Sequence, residues 1–114
     1  MNQDLQKEFP KVFPKQIYID AYDGWEELIR NCCQEIEEYL SKNSIPDFQT
    51  SCIKTKFGVL RFCTYSSDET IENIIQKYET LSWTTCEECS KPASRKIINN
   101  WVWTLCEKCY EERI

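Results

Sequence analysis

Two amphipathic helical segments, a β-branched and aromatic run broken by one turn, and two Cys-x-x-Cys pairs near the C-terminus together predict an α+β fold. The expected architecture is two helices packed on a β-hairpin, residues 1–83, followed by a C-terminal treble-clef or zinc-ribbon module, residues 84–114, packed on the core as one unit. At 114 residues, with 41% hydrophobic and 13% aromatic side chains, the chain has the apolar content for one such core.

Residues 1–22 are a proline-punctuated lead-in carrying Phe9, Phe13, Tyr18 and Tyr22. Its run Gln16–Tyr22 alternates in polarity, which fits a short edge strand; an extended segment laid over the core is the favoured reading. Asp23-Gly24-Trp25-Glu26 reads as a helix start with a capping box. Trp25, Leu28, Ile29, Cys32, Ile36, Tyr39 and Leu40 then recur at gaps of three and four, one apolar stripe, with Glu27, Arg30, Glu37 and Glu38 assigned to the wet side. Asn43 and Pro46 end this helix. Residues 48–65 form the hairpin, turning near Lys56-Phe57-Gly58. On its second strand Val59, Arg61 and Cys63 point one way, and Leu60, Phe62 and Thr64 the other. A second capping box, Ser66 to Glu69, opens another helix with Ile71, Ile74, Ile75, Tyr78 and Leu81 as its buried stripe.

The cysteines carry the strongest chemical signal. Cys86-Glu-Glu-Cys89, a spacer of sixteen residues and Cys106-Glu-Lys-Cys109 place four soft ligands where two knuckles can share one tetrahedral ion. The spacer fits this geometry, because residues 94–98 and 101–105 flank Asn99-Asn100, a pair suited to a two-residue turn. Residues 107–114 can start a short helix at the second pair. A redox Cys-x-x-Cys needs a βαβ context that is missing, and disulfides suit oxidising compartments. The cofactor expected is therefore one Zn2+, structural because four cysteines leave no open coordination position. With no histidine in the chain, a water-activating metal is disfavoured, and no catalytic residues stand out. Cys32, Cys33, Cys52 and Cys63 lie in periodic apolar segments and read as reduced, buried small hydrophobes.

The formal charge is −5, and four thiolates with one divalent ion bring it to about −7. A chain this acidic has no bulk attraction for nucleic acid or anionic membrane. Between residues 47 and 66 the sign reverses, with Lys54, Lys56 and Arg61 against Asp47 alone. That island is either an ordinary solvated hairpin face or a contact surface for an acidic partner or phosphate-bearing ligand. Trp101 and Trp103 share a strand face; covering a scanty core is favoured over a stacking platform for bases. No apolar run approaches the ~20 residues of a membrane span, and the N-terminus lacks a signal-peptide pattern, so a soluble, cytoplasmic protein is expected.

The order of motifs resembles a family of small uncharacterised proteins from bacteriophages and prophages. The resemblance covers roughly residues 20–110 and rests on Asp23-Gly24-Trp25, the Lys56-Phe-Gly-Val-Leu-Arg-Phe62 segment, the first Cys-x-x-Cys and Thr104-Leu-Cys106-x-x-Cys109. Ser90 departs from it, standing where the family usually has Gly, and so does Cys63, where an aromatic is more usual. The resemblance implies a phage or prophage origin and a zinc-bearing α+β fold, and supplies no activity. Taken with the composition, it makes a non-enzymatic accessory protein in the bacterial host cytoplasm the leading expectation. Such a protein would bind a host protein or a host signalling ligand, small and anionic or a nucleotide. The alternative is a nucleic-acid-binding zinc-ribbon regulatory protein.

Overall fold

The computed structural model describes residues 2–114. Its elements run α1 (Asn2–Glu8), β1 (Ile19–Asp20), a 3-10 turn (Asp23–Trp25), α2 (Glu26–Lys42), β2 (Gln49–Lys56), β3 (Val59–Tyr65), α3 (Glu69–Ser82), β4 (Ser94–Ile98), β5 (Trp101–Leu105) and α4 (Glu107–Arg113). The fold is α+β, with a three-stranded sheet in the order β1-β2-β3 and a separate β4-β5 hairpin.

Strands β2 and β3 pair antiparallel with Ile53 opposite Phe62 and Lys54 opposite Arg61. Their connecting residues Phe57 and Gly58 have φ of 54° and 75°, the doubly positive pattern of a hairpin turn that matches strand twist. Asn99 and Asn100 do the same between β4 and β5, at 50° and 65°. Ile53, Leu60 and Phe62 face inward and meet Ile29, Cys32 and Ile36 of α2 and Ile71 and Ile75 of α3 in one apolar core. A second, smaller cluster forms around Cys86, Trp103, Leu105, Cys106 and Cys109.

Several local expectations are corrected. The lead-in holds a helix, α1, and then a true edge strand: Ile19 pairs with Ile53 in parallel, so the short-strand reading prevails over the draped segment. A buried polar residue explains why α1 escapes an apolar pattern. The side-chain amide of Gln6 donates to the Ile17 carbonyl at 2.6 Å, and its oxygen accepts from Ile17 N–H at 2.8 Å, pinning the helix to the strand approach. Glu37 is not on a wet face. Its carboxylate accepts from the N–H groups of Lys11 and Val12 at 3.0 Å and ties the lead-in to α2. Asp23 caps no helix: residues 23–25 form a 3-10 turn without a side-chain cap, and α2 follows. For α3 the cap is Asp68, accepting from Ile71 N–H at 3.0 Å, while Ser66 sits two residues earlier at φ 59°. Leu81, at the end of that helix, is exposed because the chain leaves the core there. Cys32 and Cys33 are fully buried as expected, and burial pushes both thiols far up in pKa. Cys52 and Cys63 are paired across the outer face of the hairpin instead, with Cys63 exposed.

Candidate metal centre and adjoining groove

Local backbone chemistry brings the four C-terminal cysteines together. After α3 the chain enters a knuckle in which Cys86 N–H donates to the Lys91 carbonyl at 2.8 Å and Ser90 N–H donates to the Cys86 carbonyl at 3.1 Å. Ser90 takes φ of 72°, the left-handed position where glycine is usual. Its hydroxyl compensates by donating to the Gly24 carbonyl at 2.6 Å. The β4-β5 hairpin then returns the chain so that Cys106 becomes the N-cap of α4, its sulfur accepting from Cys109 N–H at 3.4 Å.

The ligand sulfurs of Cys86, Cys89, Cys106 and Cys109 all lie within 4.8 Å of one another, and the Cys89–Cys106 pair is 3.6 Å apart. Sulfurs at the ~2.3 Å bond length of tetrahedral zinc stand about 3.8 Å from each other, so the cluster matches such an ion. The donated Cys109 N–H brings the Cys106 thiol down to about 7, which favours the ligating thiolate. Burial and the neighbouring thiols push Cys109 the other way.

The knuckle is joined to the α+β core through Asp23-Gly24-Trp25. Gly24 N–H donates to the Glu87 carbonyl at 2.7 Å, and the buried Trp25 indole N–H donates to the Thr85 carbonyl at 2.9 Å. No side chain fits at residue 24, since a Cβ would stand 2.3 Å from the Cys86 carbonyl oxygen. Glu87, between the first two cysteines, is almost completely buried, and burial pushes its carboxyl up. It is held by Thr104 N–H at 2.8 Å, while Thr104 Oγ1 donates to the Gly58 carbonyl of the β2-β3 turn at 2.6 Å. Residues 84–114 are thus fastened at two places to residues 1–83.

Beside the second fastening lies a groove of about 990 Å³, bordered by β3, α3 and β4. Lys56 and Arg61 of the basic island line it; Lys54 does not, although it stands directly across the strands from Arg61. Arg95, Phe57 and Trp83 also line the groove, and nothing in the linear pattern singled them out. Arg95 is far from Arg61 in sequence and is carried there by the metal module. Trp83, which follows the last helical stripe residue, looks like a helix end but is 58% exposed. Trp101 and Trp103 do not act as a pair. The Arg113 guanidinium lies 3.9 Å from the ring centre of Trp103, and Tyr22 packs beside it, so this indole belongs to the small core. Trp101 is exposed at the hairpin tip.

Among the described residues no helix is long and apolar enough to cross a membrane. Comparison with protein-family models, with curated proteins and with solved structures finds no match to this chain.

Proposed function

We propose that this chain is a non-enzymatic binding protein whose Cys86, Cys89, Cys106 and Cys109 hold one structural Zn2+ in a treble-clef arrangement. The order knuckle, hairpin and ligand-capped helix supports the treble clef. Four thiols at mutual distances suited to tetrahedral coordination support zinc and leave no position for a catalytic water. On this reading the metal fixes the far wall of the groove, and the groove does the binding. The observation that carries the proposal is that the groove is built from both halves of the chain, with Lys56 and Arg61 from one side and Arg95 from the other.

The resemblance of residues 20–110 to small phage and prophage proteins supports an accessory role in a bacterial cytoplasm, engaging a host protein or a host signalling ligand. Regulation by nucleic-acid binding is the weaker reading, because the formal charge of −5 opposes a polyanion at long range. Native mass spectrometry of the chain purified from bacteria tests the proposal. One zinc per chain, with charge reversal of Lys56 and Arg61 removing any retained ligand, is the expected outcome. A metal-free, folded protein would refute it.

A further inference from the structure

We propose that the groove takes a nucleotide, with its base against Trp83 and its phosphate among Lys56, Arg61 and Arg95. This deepens the binding reading above and rests on it.

The arginines discriminate between a solvated face and a site. The chain has four. Arg30 is paired with Glu8 and Glu26, and Arg113 with Glu88. Among the described residues, Arg61 and Arg95 have no carboxylate partner, and both line the same groove. In a chain with 19 acidic residues, two arginines without a salt-bridge partner, brought to one groove from separate halves of the fold, make a local positive field. Lys56 adds a third charge from the end of β2. The one carboxylate on the lining, Glu79, is turned to the Phe62 N–H at 3.0 Å, and against three cations it leaves the lining net positive. Guanidinium groups with free donor forks suit phosphate oxygens in a bidentate geometry.

Charge alone would equally serve an acidic peptide. The aromatic content of the groove separates the two. Trp83 is 58% exposed and Phe57 66% exposed, both bordering the cations. Lys56 Nζ already lies over the Phe57 ring, 5.9 Å from its centre, so the exposed Trp83 indole is the free aromatic face. Beside Arg61 and Arg95 it matches a ligand that carries a flat π-system and a phosphate together. Gln76, exposed on the α3 side of the groove, offers a donor and an acceptor to a base edge. The volume of about 990 Å³ is at the upper end of small-ligand sites, roughly 300–1,000 Å³. A nucleotide fits that size, and its few charges avoid the repulsion that an acidic chain imposes on RNA or DNA.

The test is calorimetric titration of the full zinc-loaded chain with the adenine, guanine, cytosine and uracil ribonucleoside 5′-diphosphates, with pyrophosphate and with a hexaglutamate peptide. At least one nucleoside diphosphate should bind more tightly than pyrophosphate. Trp83→Ala should weaken that nucleotide about tenfold or more while leaving pyrophosphate unchanged. Arg61→Glu and Arg95→Glu should each weaken both probes. All three side chains lie at the surface of the groove, so melting temperatures should stay near that of the parent; Arg61→Gln and Arg95→Gln serve as milder variants. Nucleotide binding indifferent to Trp83→Ala, or to both arginine variants, overturns the inference. Binding of hexaglutamate or pyrophosphate through Arg61, with no nucleotide binding, also overturns it while the broader anion-binding reading stands. Failure of every probe to bind removes both.

Discussion

Alanine at position 24 asks whether the metal module is held to the core by the contacts at the knuckle. A Cβ there would stand 2.3 Å from the Cys86 carbonyl oxygen and 2.4 Å from the carbonyl carbon and oxygen of Glu87. Ordinary contact begins at 3.4 Å, so the two backbones must separate by about 1.1 Å. The colliding atoms are main chain, already fixed by bonds to Lys91 and Thr104, and cannot rotate away. Separation stretches three hydrogen bonds: Gly24 N–H to Glu87, Ser90 Oγ to Gly24, and the Trp25 indole to Thr85. At ~0.5–1.5 kcal/mol each, with ~1–3 kcal/mol for overpacking, Gly24→Ala should cost about 2.5–7.5 kcal/mol. Domains of this size have a total stability of ~5–15 kcal/mol, so much of it would be lost. Thermal unfolding followed by circular dichroism should show a fall of at least ~10 °C. Zinc release to a colorimetric chelator should accelerate in parallel. A melting temperature within about 3 °C of the parent, with unaltered metal release, would show that the knuckle moves freely and that the reasoning is wrong.

The proposed zinc should be present at one per chain, and Cys106→Ser should remove it and unfold residues 84–114, as read by metal analysis and by proteolysis of the C-terminal module. Replacing Cys32, Cys33, Cys52 and Cys63 together should leave that stoichiometry unchanged. The stability cost should fall mainly on the two fully buried thiols, and a drop in bound metal would point to a second site. Asp68 gives a pH dependence. The Tyr39 hydroxyl and the Ile71 N–H hold its carboxyl below its usual value of 3.8. A depressed carboxylate contributes stability that is present above 3.8 and lost as pH falls through the lower folded value. Asp68→Ala should therefore lower stability at neutral pH and flatten the acid limb below pH 3.8, measured by urea unfolding across pH.

Residues whose role is set by periodicity or fixed spacing were legible from the sequence. The α2 stripe, the β2-β3 hairpin, the Asn99-Asn100 turn and the clustering of the four C-terminal cysteines follow from gaps of three and four, alternation and the Cys-x-x-Cys pairs. What was not legible is polar and long-range. Gln6 and Glu37 are ordinary hydrophilic letters until their side chains find backbone groups eleven and about twenty-five residues away. Asp23-Gly24-Trp25 has the composition of a helix start. Its glycine is there for a close approach to a knuckle sixty residues later, which no local rule contains. The groove was half-visible: Lys56 and Arg61 appear in one basic stretch, but Trp83 is brought beside them by the end of α3, and Arg95 joins them only when the module is seated.

That seating would link the proposed metal to the proposed groove ligand. Arg95 stands directly opposite Thr104 in the β4-β5 ladder, and Thr104 is bonded both to Glu87 in the knuckle and to Gly58 in the other hairpin. The position of one groove wall is therefore set through the same residues that close the metal loop. Zinc binding to a site of this type is folding free energy, on the order of 10 kcal/mol, so loss of the ion would release Arg95 from the groove as well as the cysteines from each other. Linkage requires the reverse: a ligand that bridges Arg61 and Arg95 must raise zinc affinity by the factor by which zinc raises its own. A structural metal held by four cysteines would in this way govern binding in a groove that it does not line.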